Sequence, residues 1–320
     1  MILAGGLSTR LYPLTRELPK PLVPVLDRPV VAHVMEYLRA HGVADLAINV
    51  HYYAQAVESF VGDGSAFDVR VTYLREAELM GSAGAVKQME SFFDSTFVVI
   101  GCDDVTDVDL QAAVDFHRRS EAEATIVLAH AVDVSQFGAV VVDDAGRIRE
   151  FQEKPAPGTE RSKLANTGIY IFEPSIFTRI PARTFYDFGQ QVFPEMLAGG
   201  RRFFGMQQRA YWCDIGTPRE YRRVHFDALG GAIPLRIDAT ALLQDGILIG
   251  SGVRVAPDAR IVAPACIGKR SRIEADATID SSIIWADVNV GAGARIRNSV
   301  VGRGVRVEPG SVIDGQQVAS

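Results

Sequence analysis

The amino end of this chain carries residues suited to holding phosphate. An apolar strand, Met1 to Ala4, runs into Gly5-Gly6, and Ser8, Thr9 and Arg10 follow. Lys20 stands between Pro19 and Pro21. Glycines let the main chain approach an anion closely, and exposed N–H groups can cradle it. Arginine offers a planar two-pronged fork, and lysine a compact point charge. The two prolines restrict the backbone around Lys20 and so limit where its charge can sit. The segment reads as a triphosphate-handling loop. It is neither a dinucleotide fingerprint nor a P-loop, since it holds no G-x-G-x-x-G and no G-x-x-x-x-G-K-[ST].

Phosphate transfer also calls for a divalent cation on oxygen ligands. Asp103 comes two residues after the apolar run Phe97 to Ile100, where an open α/β sheet presents its site groups. Asp107 and Asp109 read as caps for the helix that comes next. Asp214 lies in Tyr211-Trp-Cys-Asp-Ile-Gly-Thr-Pro, which locally reads as a helix start with Thr217 capping and Pro218 at the first helical position.

From Gly5 to Leu22 the chain matches G-G-x-G-T-R-L-x-P-L-T-x-x-x-P-K-P-L at every fixed position but one. It thereby resembles the nucleoside-diphosphate-sugar pyrophosphorylases. Ser8 replaces a glycine, which puts a left-handed backbone angle in question there. The resemblance implies attack of a sugar 1-phosphate oxygen on the α-phosphorus of an NTP, with pyrophosphate leaving and Mg2+ assisting. It implies that Leu3, Ala4, Gly5, Gly6, Ser8, Thr9 and Arg10 bind nucleotide, and that Arg10 and Lys20 neutralise the β- and γ-phosphates. Glu78-Leu-Met-Gly-Ser-Ala-Gly-Ala resembles L-G-T-A-G-A and would lay Gly81, Ser82 and Gly84 along the base. Its local reading is a helix start capped by Ser82. The strand-then-G-D motif picks Asp103 over Asp104 as a metal ligand, and W-x-D-I-G-T-P picks Asp214 as the second. Phe137-Gly138, Glu153-Lys154-Pro155 and Asn166-Thr-Gly-Ile-Tyr resemble F-G, E-K-P and N-A-G-I-Y. They imply Gly138, Glu153, Asn166 and Thr167 on the sugar and Lys154 on its phosphate.

Two kinds of element must position these residues. Residues 1–230 alternate strands and helices. Strands are expected at Leu46 to Val50, Val69 to Tyr73, Phe97 to Ile100, Thr125 to Ala131, Gly138 to Val142 and Gly168 to Phe172. Helices are expected at Val30 to His41, ended by Gly42, and at Leu110 to Ser120. The turn after Gly138 closes at Glu150 to Pro155. This is an α/β, Rossmann-like domain with a mixed sheet. In residues 231–320 Ile249, Val255, Ile261, Ile267, Ile273 and Ile279 recur every sixth position, with one-residue slips near Trp285 and again before Val301. A period of six marks a parallel β-helix, and the resemblance implies the left-handed kind. Ile261, Ile267 and Ile273 should be core.

Composition bounds the partners. The net charge of −6 argues against nucleic acid and anionic membranes. No apolar run nears the roughly 20 residues that span a bilayer. Cys102, Cys213 and Cys266 are too widely spaced for a disulfide framework or a zinc site. A cytoplasmic location is expected, since the amino end lacks the features of a signal peptide. The short hexapeptide tail combined with the Asp214-Ile-Gly-Thr-Pro218 segment most resembles mannose-1-phosphate guanylyltransferases, with glucose-1-phosphate thymidylyl-, uridylyl- and adenylyltransferases as alternatives. A non-catalytic nucleotide-sugar sensor is a further alternative, weighed against by the joint presence of Arg10, Lys20, Asp103, Lys154 and Asp214. A hexapeptide acyltransferase would need a histidine in the coil, and the last one here is His225. The apolar group Ile283-Ile284-Trp285 reads either as a plug or as a face for another subunit or the catalytic domain. A homo-oligomer assembled through residues 240–320 is expected.

Overall fold

The computed structural model describes residues 1–319. They pack as two compact units, Met1–Gly6 with Val34–Trp212, and Leu7–His33 with the chain from Cys213 onward. The division at residue 230 is one of pattern. By packing, the Lys20 segment and the helix after Asp214 belong with the coil.

The first unit is built on a nine-stranded mixed sheet. Strands β1 (Ile2–Leu3), β2 (Asp45–Val50), β3 (Arg70–Arg75) and β4 (Phe97–Gly101) run parallel in the order β4-β1-β2-β3. β5 (Ala124–His130), β6 (Gly138–Val142), β7 (Ile148–Glu153), β8 (Leu164–Phe172) and β9 (Phe203–Gln207) continue it. β8 lies antiparallel to β4, β5 and β6, β7 antiparallel to β6, and β9 parallel to β5. Leu46 to Val50 are all buried, as a strand covered on both faces requires. Buried phenylalanines, among them Phe172, Phe177, Phe188, Phe193 and Phe203, anchor the core.

The helices are α1 (Val30–Ala40), α2 (Ala54–Val61), α3 (Gly81–Gln88), α4 (Leu110–Arg119), α5 (Phe193–Ala198) and α6 (Pro218–Leu229). α1 stops as expected, with Gly42 at φ +81°. Asp109 caps α4 by accepting from the Ala112 N–H at 2.9 Å, and Thr217 caps α6 by accepting from the Glu220 N–H at 3.2 Å. One expectation is corrected. Glu150 to Glu153 is not a turn but the end of β7, paired with β6 through Gln152↔Ala139 and Glu153↔Gly138. The chain turns only afterwards, at Lys154, with φ 43°.

In the second unit, residues from Leu242 onward form a left-handed parallel β-helix of three sheets. Register explains the slips in period. Ile249 pairs with Ile267 across a first turn of eighteen residues, and then Ile267↔Ile284, Ile284↔Val301 and Val301↔Val318 are each seventeen apart. One corner is a residue shorter in every later turn. A left-handed residue sits at each shortened corner: Ser281 (φ 47°), Asn298 (φ 48°) and Gly315 (φ 66°). Ile267 and Ile273 are core, whereas Ile261 is only half-buried. Its strand pairs on one side alone, with Thr278–Asp280.

The apolar group at the first slip is covered by the chain itself. Ile283, Ile284 and Trp285 are buried, and the Trp285 indole N–H donates to the Tyr221 hydroxyl of α6 at 2.8 Å. The group thus faces α6, which falls within residues 1–230, as the reading of a face for the catalytic domain expects, and it is not left open to another subunit.

Candidate active site

In the first unit the loops leave the carboxyl ends of parallel strands. β1 ends where the Ala4 N–H turns to the Asn49 side-chain oxygen at 2.9 Å. Gly5 lies against side chains: a Cβ there would come within 2.8 Å of Asn49 Nδ2 and 2.9 Å of Glu76 Oε2. A Cβ on Gly6 would meet nothing within 4 Å, so its backbone faces open space.

The Gly81–Gly84 turn needs both glycines. Gly81 has φ +76°, and its Cβ would sit 2.5 Å from the Tyr186 carbonyl oxygen. That of Gly84 would sit 2.9 Å from the Thr184 carbonyl oxygen. Ser82 is not the cap of α3. Its hydroxyl donates to Asp187 Oδ2 at 2.7 Å and accepts from the Phe188 N–H at 3.0 Å. The Tyr186 carbonyl takes the first helical N–H groups instead, from Ala83 at 3.0 Å and Gly84 at 2.9 Å.

Asp103 and Asp104 follow β4 in different settings. Asp104 is buried, with Oδ2 accepting from the Gly101 N–H at 3.1 Å and Oδ1 from the Trp212 indole at 2.9 Å. Asp103 is half-buried, its Oδ1 over Gly101, whose Cβ would lie 2.7 Å from it. Asp107 accepts from the Tyr211 N–H at 2.6 Å and serves the scaffold.

The middle of the chain gathers the residues expected on the sugar phosphate. Gly138 lies against the Phe151 ring and Asn166, where a Cβ would come within 2.7 Å and 3.2 Å respectively. β8 bulges between Asn166 and Tyr170. Asn166 Oδ1 accepts from the Gly168 N–H at 3.0 Å, and its amide donates to the Tyr170 hydroxyl at 3.1 Å. The Thr167 hydroxyl points into the sheet and donates to the Val127 carbonyl at 2.8 Å. Glu153 faces Lys154 Nζ at 3.4 Å. Burial raises the Glu153 carboxyl above its ordinary range, the Lys154 charge opposes this, and the Asp187 charge adds to it.

The segment Thr184 to Gln191 was not singled out in the sequence, yet it organises this region. Asp187 Oδ1 accepts from the Gly189 N–H at 2.9 Å while Oδ2 holds Ser82. A Cβ on Gly189 would lie 2.3 Å from Glu153 Oε2, so the Gly189 backbone passes close to that carboxylate. Phe188–Val192 is a π-helical turn, a form often found at functional sites. The available signal was Asp-Phe-Gly as a cap, with Pro194 one turn on.

In the second unit the expected cations meet their aspartate. Ser8 takes the left-handed conformation its family position demands, with φ 53° and ψ 39°. The Thr15 hydroxyl fixes that residue by donating to the Ser8 carbonyl at 2.8 Å. Lys20 is 9% exposed and places Nζ 3.3 Å from Asp214 Oδ1. A Cβ on Gly216 would lie 2.8 Å from Arg10 Nη2 and 3.0 Å from Asp214 Oδ1. Lys20 thus meets Asp214, and Arg10 and Asp214 both lie against Gly216. Among the described residues no three His, Cys, Asp or Glu side chains cluster as a metal cage. The Asp214 carboxylate in this unit, like that of Asp103 in the first, is a hard oxygen donor of the kind magnesium takes.

Comparison with known proteins adds to this geometry. The nucleotidyl transferase family model matches residues 1–230, and the model named GMPPB C-terminal domain matches residues 236–320. A UTP–glucose-1-phosphate uridylyltransferase of Synechocystis is 34% identical over all of this chain and 91% of its own length. A mannose-1-phosphate guanylyltransferase of Mycobacterium tuberculosis is 31% identical over 98% of this chain and 82% of its own. Mannose-1-phosphate guanylyltransferase 1 of Arabidopsis thaliana is 30% identical over 96% and 91%. Among solved structures, a putative glucose-1-phosphate thymidylyltransferase from Bacillus anthracis superposes with a TM-score of 0.64. It is 28% identical over 70% of this chain and 92% of that one.

Proposed function

Because the chain belongs to the nucleotidyl transferase family, we propose that it makes a nucleoside-diphosphate sugar from an NTP and a sugar 1-phosphate, with GTP and mannose 1-phosphate as its pair. The observation that carries the reaction class is Lys20 on Asp214, with Arg10 and Asp214 both against Gly216, within the motifs that match the family. The C-terminal family match and the full-length guanylyltransferase relatives support the guanylyl and mannosyl assignment. A uridylyl transfer to glucose 1-phosphate is the second reading, favoured by the Synechocystis relative.

An oxygen of the sugar phosphate attacks the α-phosphorus in line, and pyrophosphate leaves. The attacking oxygen is already ionised, so no side-chain base is required. Arg10 and Lys20 neutralise the β- and γ-phosphates as the leaving group forms, and Lys154 holds the attacking phosphate. Glu153, Asn166 and the backbones of Gly138 and Thr167 orient the hexose. Leu3 to Gly6, Ser8 and Thr9 lie along the nucleotide, and Gly81, Ser82 and Gly84 along its base. Asp103 and Asp214 are assigned to magnesium, which when bound neutralises phosphate oxygens. Catalysis by such a site is positioning and charge neutralisation.

The proposal also places the enzyme in the cytoplasm as a homo-oligomer. No helix among the described residues is long and apolar enough to cross a membrane. The test is pyrophosphate release over a matrix of five NTPs and several sugar 1-phosphates. GTP with mannose 1-phosphate should give the highest kcat/KM. A maximum at UTP with glucose 1-phosphate would select the second reading, and no release from any pair would remove both.

A further inference from the structure

One face of the coil carries a column of arginines that no role above uses. The strands Arg254–Val255, Arg272–Ile273, Asn289–Val290 and Arg306–Val307 stack in parallel as one of its three sheets. Their register sets Arg254 beside Arg272, Arg272 beside Asn289, and Asn289 beside Arg306. Ile273, Val290 and Val307 turn inward and are buried, so the residue before each projects outward. Arg254, Arg272 and Arg306 are all exposed. Among the described residues, none of these three guanidiniums has a carboxylate or hydrogen-bond partner. At the corner just before these strands, Arg270 and Arg303 share one carboxylate, Asp287, at 2.6 and 3.2 Å. Positive charge therefore gathers along this strip, on a chain whose net charge is −6.

Like charges stacked in register repel one another, so an anion laid along the column relieves the sheet. The surroundings select the shape of that anion. Glu274 and Glu308 are exposed two residues after Arg272 and Arg306, so a line of negative charge borders the column. A broad anionic plane such as a membrane would meet both signs, whereas a narrow rod meets the arginines alone. Rungs of a sheet lie about 4.8 Å apart, so Arg254 to Arg306 spans about 14 Å. Carboxylates one helical turn apart repeat about every 5.4 Å and drift only about 2 Å over that span, within reach of arginine arms. Alternate residues of an extended strand repeat about every 6.8 Å and drift by about 6 Å. The guanidinium fork matches a carboxylate in two-pronged geometry. We propose that this column is a docking surface for an acidic helix of a partner protein, one that presents Glu or Asp at each turn.

The probe is a synthetic helix-forming peptide with one Glu per turn, paired with a peptide of the same composition in scrambled order. Binding to the full-length chain is read by fluorescence anisotropy. The patterned peptide should bind at low salt, at least about threefold better than the scrambled one, and should weaken as salt screens the contact. Replacing the column together, Arg254→Ser, Arg272→Ser and Arg306→Ser, should weaken binding about tenfold. Arg260→Ser with Arg295→Ser removes exposed charge from the neighbouring sheet and should leave binding within about twofold of wild type. Thermal melting and pyrophosphate release should match wild type in both variants, since neither set lies in the core or among the residues assigned to substrates.

Equal losses in the two variants would reduce the effect to overall charge and overturn the proposal. So would equal binding of the patterned and scrambled peptides, or no binding of either to wild type at low salt. Vesicles with about 40% anionic lipid and inorganic polyphosphate are run beside the peptides. Tighter binding of either probe, lost when the column is replaced, would assign the arginines to a membrane or a phosphate polymer and overturn the acidic helix. If the triple variant melts below wild type, Arg272→Ser alone decides. Weakened binding at a native melting temperature supports the proposal, and unchanged binding overturns it.

Discussion

Asp103 and Asp104 are adjacent carboxylates made different by their neighbours. Asp104 holds the Gly101 N–H and the Trp212 indole, so its oxygens are tied to the scaffold. Asp103 is the one assigned to the metal. Asp103→Asn should keep a native melting temperature and lose at least a hundredfold in kcat, since a lost metal ligand removes several kcal/mol of charge stabilisation. Asp104→Ala should instead destabilise the fold by about 1–3 kcal/mol, through two partly buried donors that lose their acceptor. Steady-state kinetics and urea unfolding on both variants separate the roles. Near-normal turnover by Asp103→Asn at saturating magnesium would take that residue out of the site.

Glu153 yields a pH prediction at the same scale. Burial raises its carboxyl in the folded state, so the ionised form costs stability that the protonated form does not. The contribution is fully favourable below the ordinary carboxylate range and is lost as pH rises through the raised folded value. Glu153→Gln should therefore be more stable than wild type at neutral pH, with the gap closing as the medium is acidified past that range. It should also raise the KM for sugar 1-phosphate. Urea midpoints at several pH values give the test, and a gap that widens on acidification would contradict it.

At the scale of elements, the coil was the most legible part of the chain. A β-helix repeats its inward residue within a few positions, so Ile267, Ile273 and Ile279 announce it locally. The slips were visible as well, but not their cause, which lies in contacts between turns. The Ser282 hydroxyl donates to the Asp280 carbonyl at 2.7 Å and accepts from the Ser299 N–H one turn on, at 3.1 Å. Ser299 then donates to the Arg297 carbonyl and accepts from the Gln316 N–H at 3.1 Å. Buried serines thus lace the shortened corners together. Ser282→Ala should cost about 1–3 kcal/mol, because it leaves a buried N–H unpaired. Ser281→Gly, at the left-handed position beside it, should be neutral or stabilising. Equal unfolding midpoints for the two variants would remove the ladder from the account.

The candidate site was readable for a different reason: the motifs of the resemblance depend on residue type and order, and they named Gly5, Lys20, Asp103 and Asp214 as candidates. What escaped were elements defined by distant partners. β9 pairs with β5 across about eighty residues of chain. Asp187 matters only because Ser82 and the Glu153 segment reach it from elsewhere in the first unit. Ser82 was misread as a helix cap because its true acceptor is 105 positions away. No local pattern carries such information.

At the scale of the molecule, the coil is not a separable appendage. The Lys20 segment is tied to it: Asp27 Oδ2 accepts from the Lys269 N–H at 2.8 Å, and the Arg28 guanidinium donates to the Arg236 carbonyl at 3.1 Å. α6, which begins just after Asp214, is covered by Trp285, and Arg222 reaches Asn298 at 3.3 Å. A chain ended after Leu229 would expose Tyr221, Val224 and His225, all fully buried in the intact second unit. It would also release the supports of the segment that carries Arg10 and Lys20. The truncated protein should therefore lose at least a hundredfold in kcat/KM for NTP and bind a dye that reports exposed apolar surface. Asp27→Ala in the full chain should act in the same direction but more mildly, since it removes a single tether. Pyrophosphate release and dye fluorescence on both proteins give the readout. A truncated chain that folds cleanly and turns over NTP at the full-length rate would show that the catalytic loop does not depend on the coil.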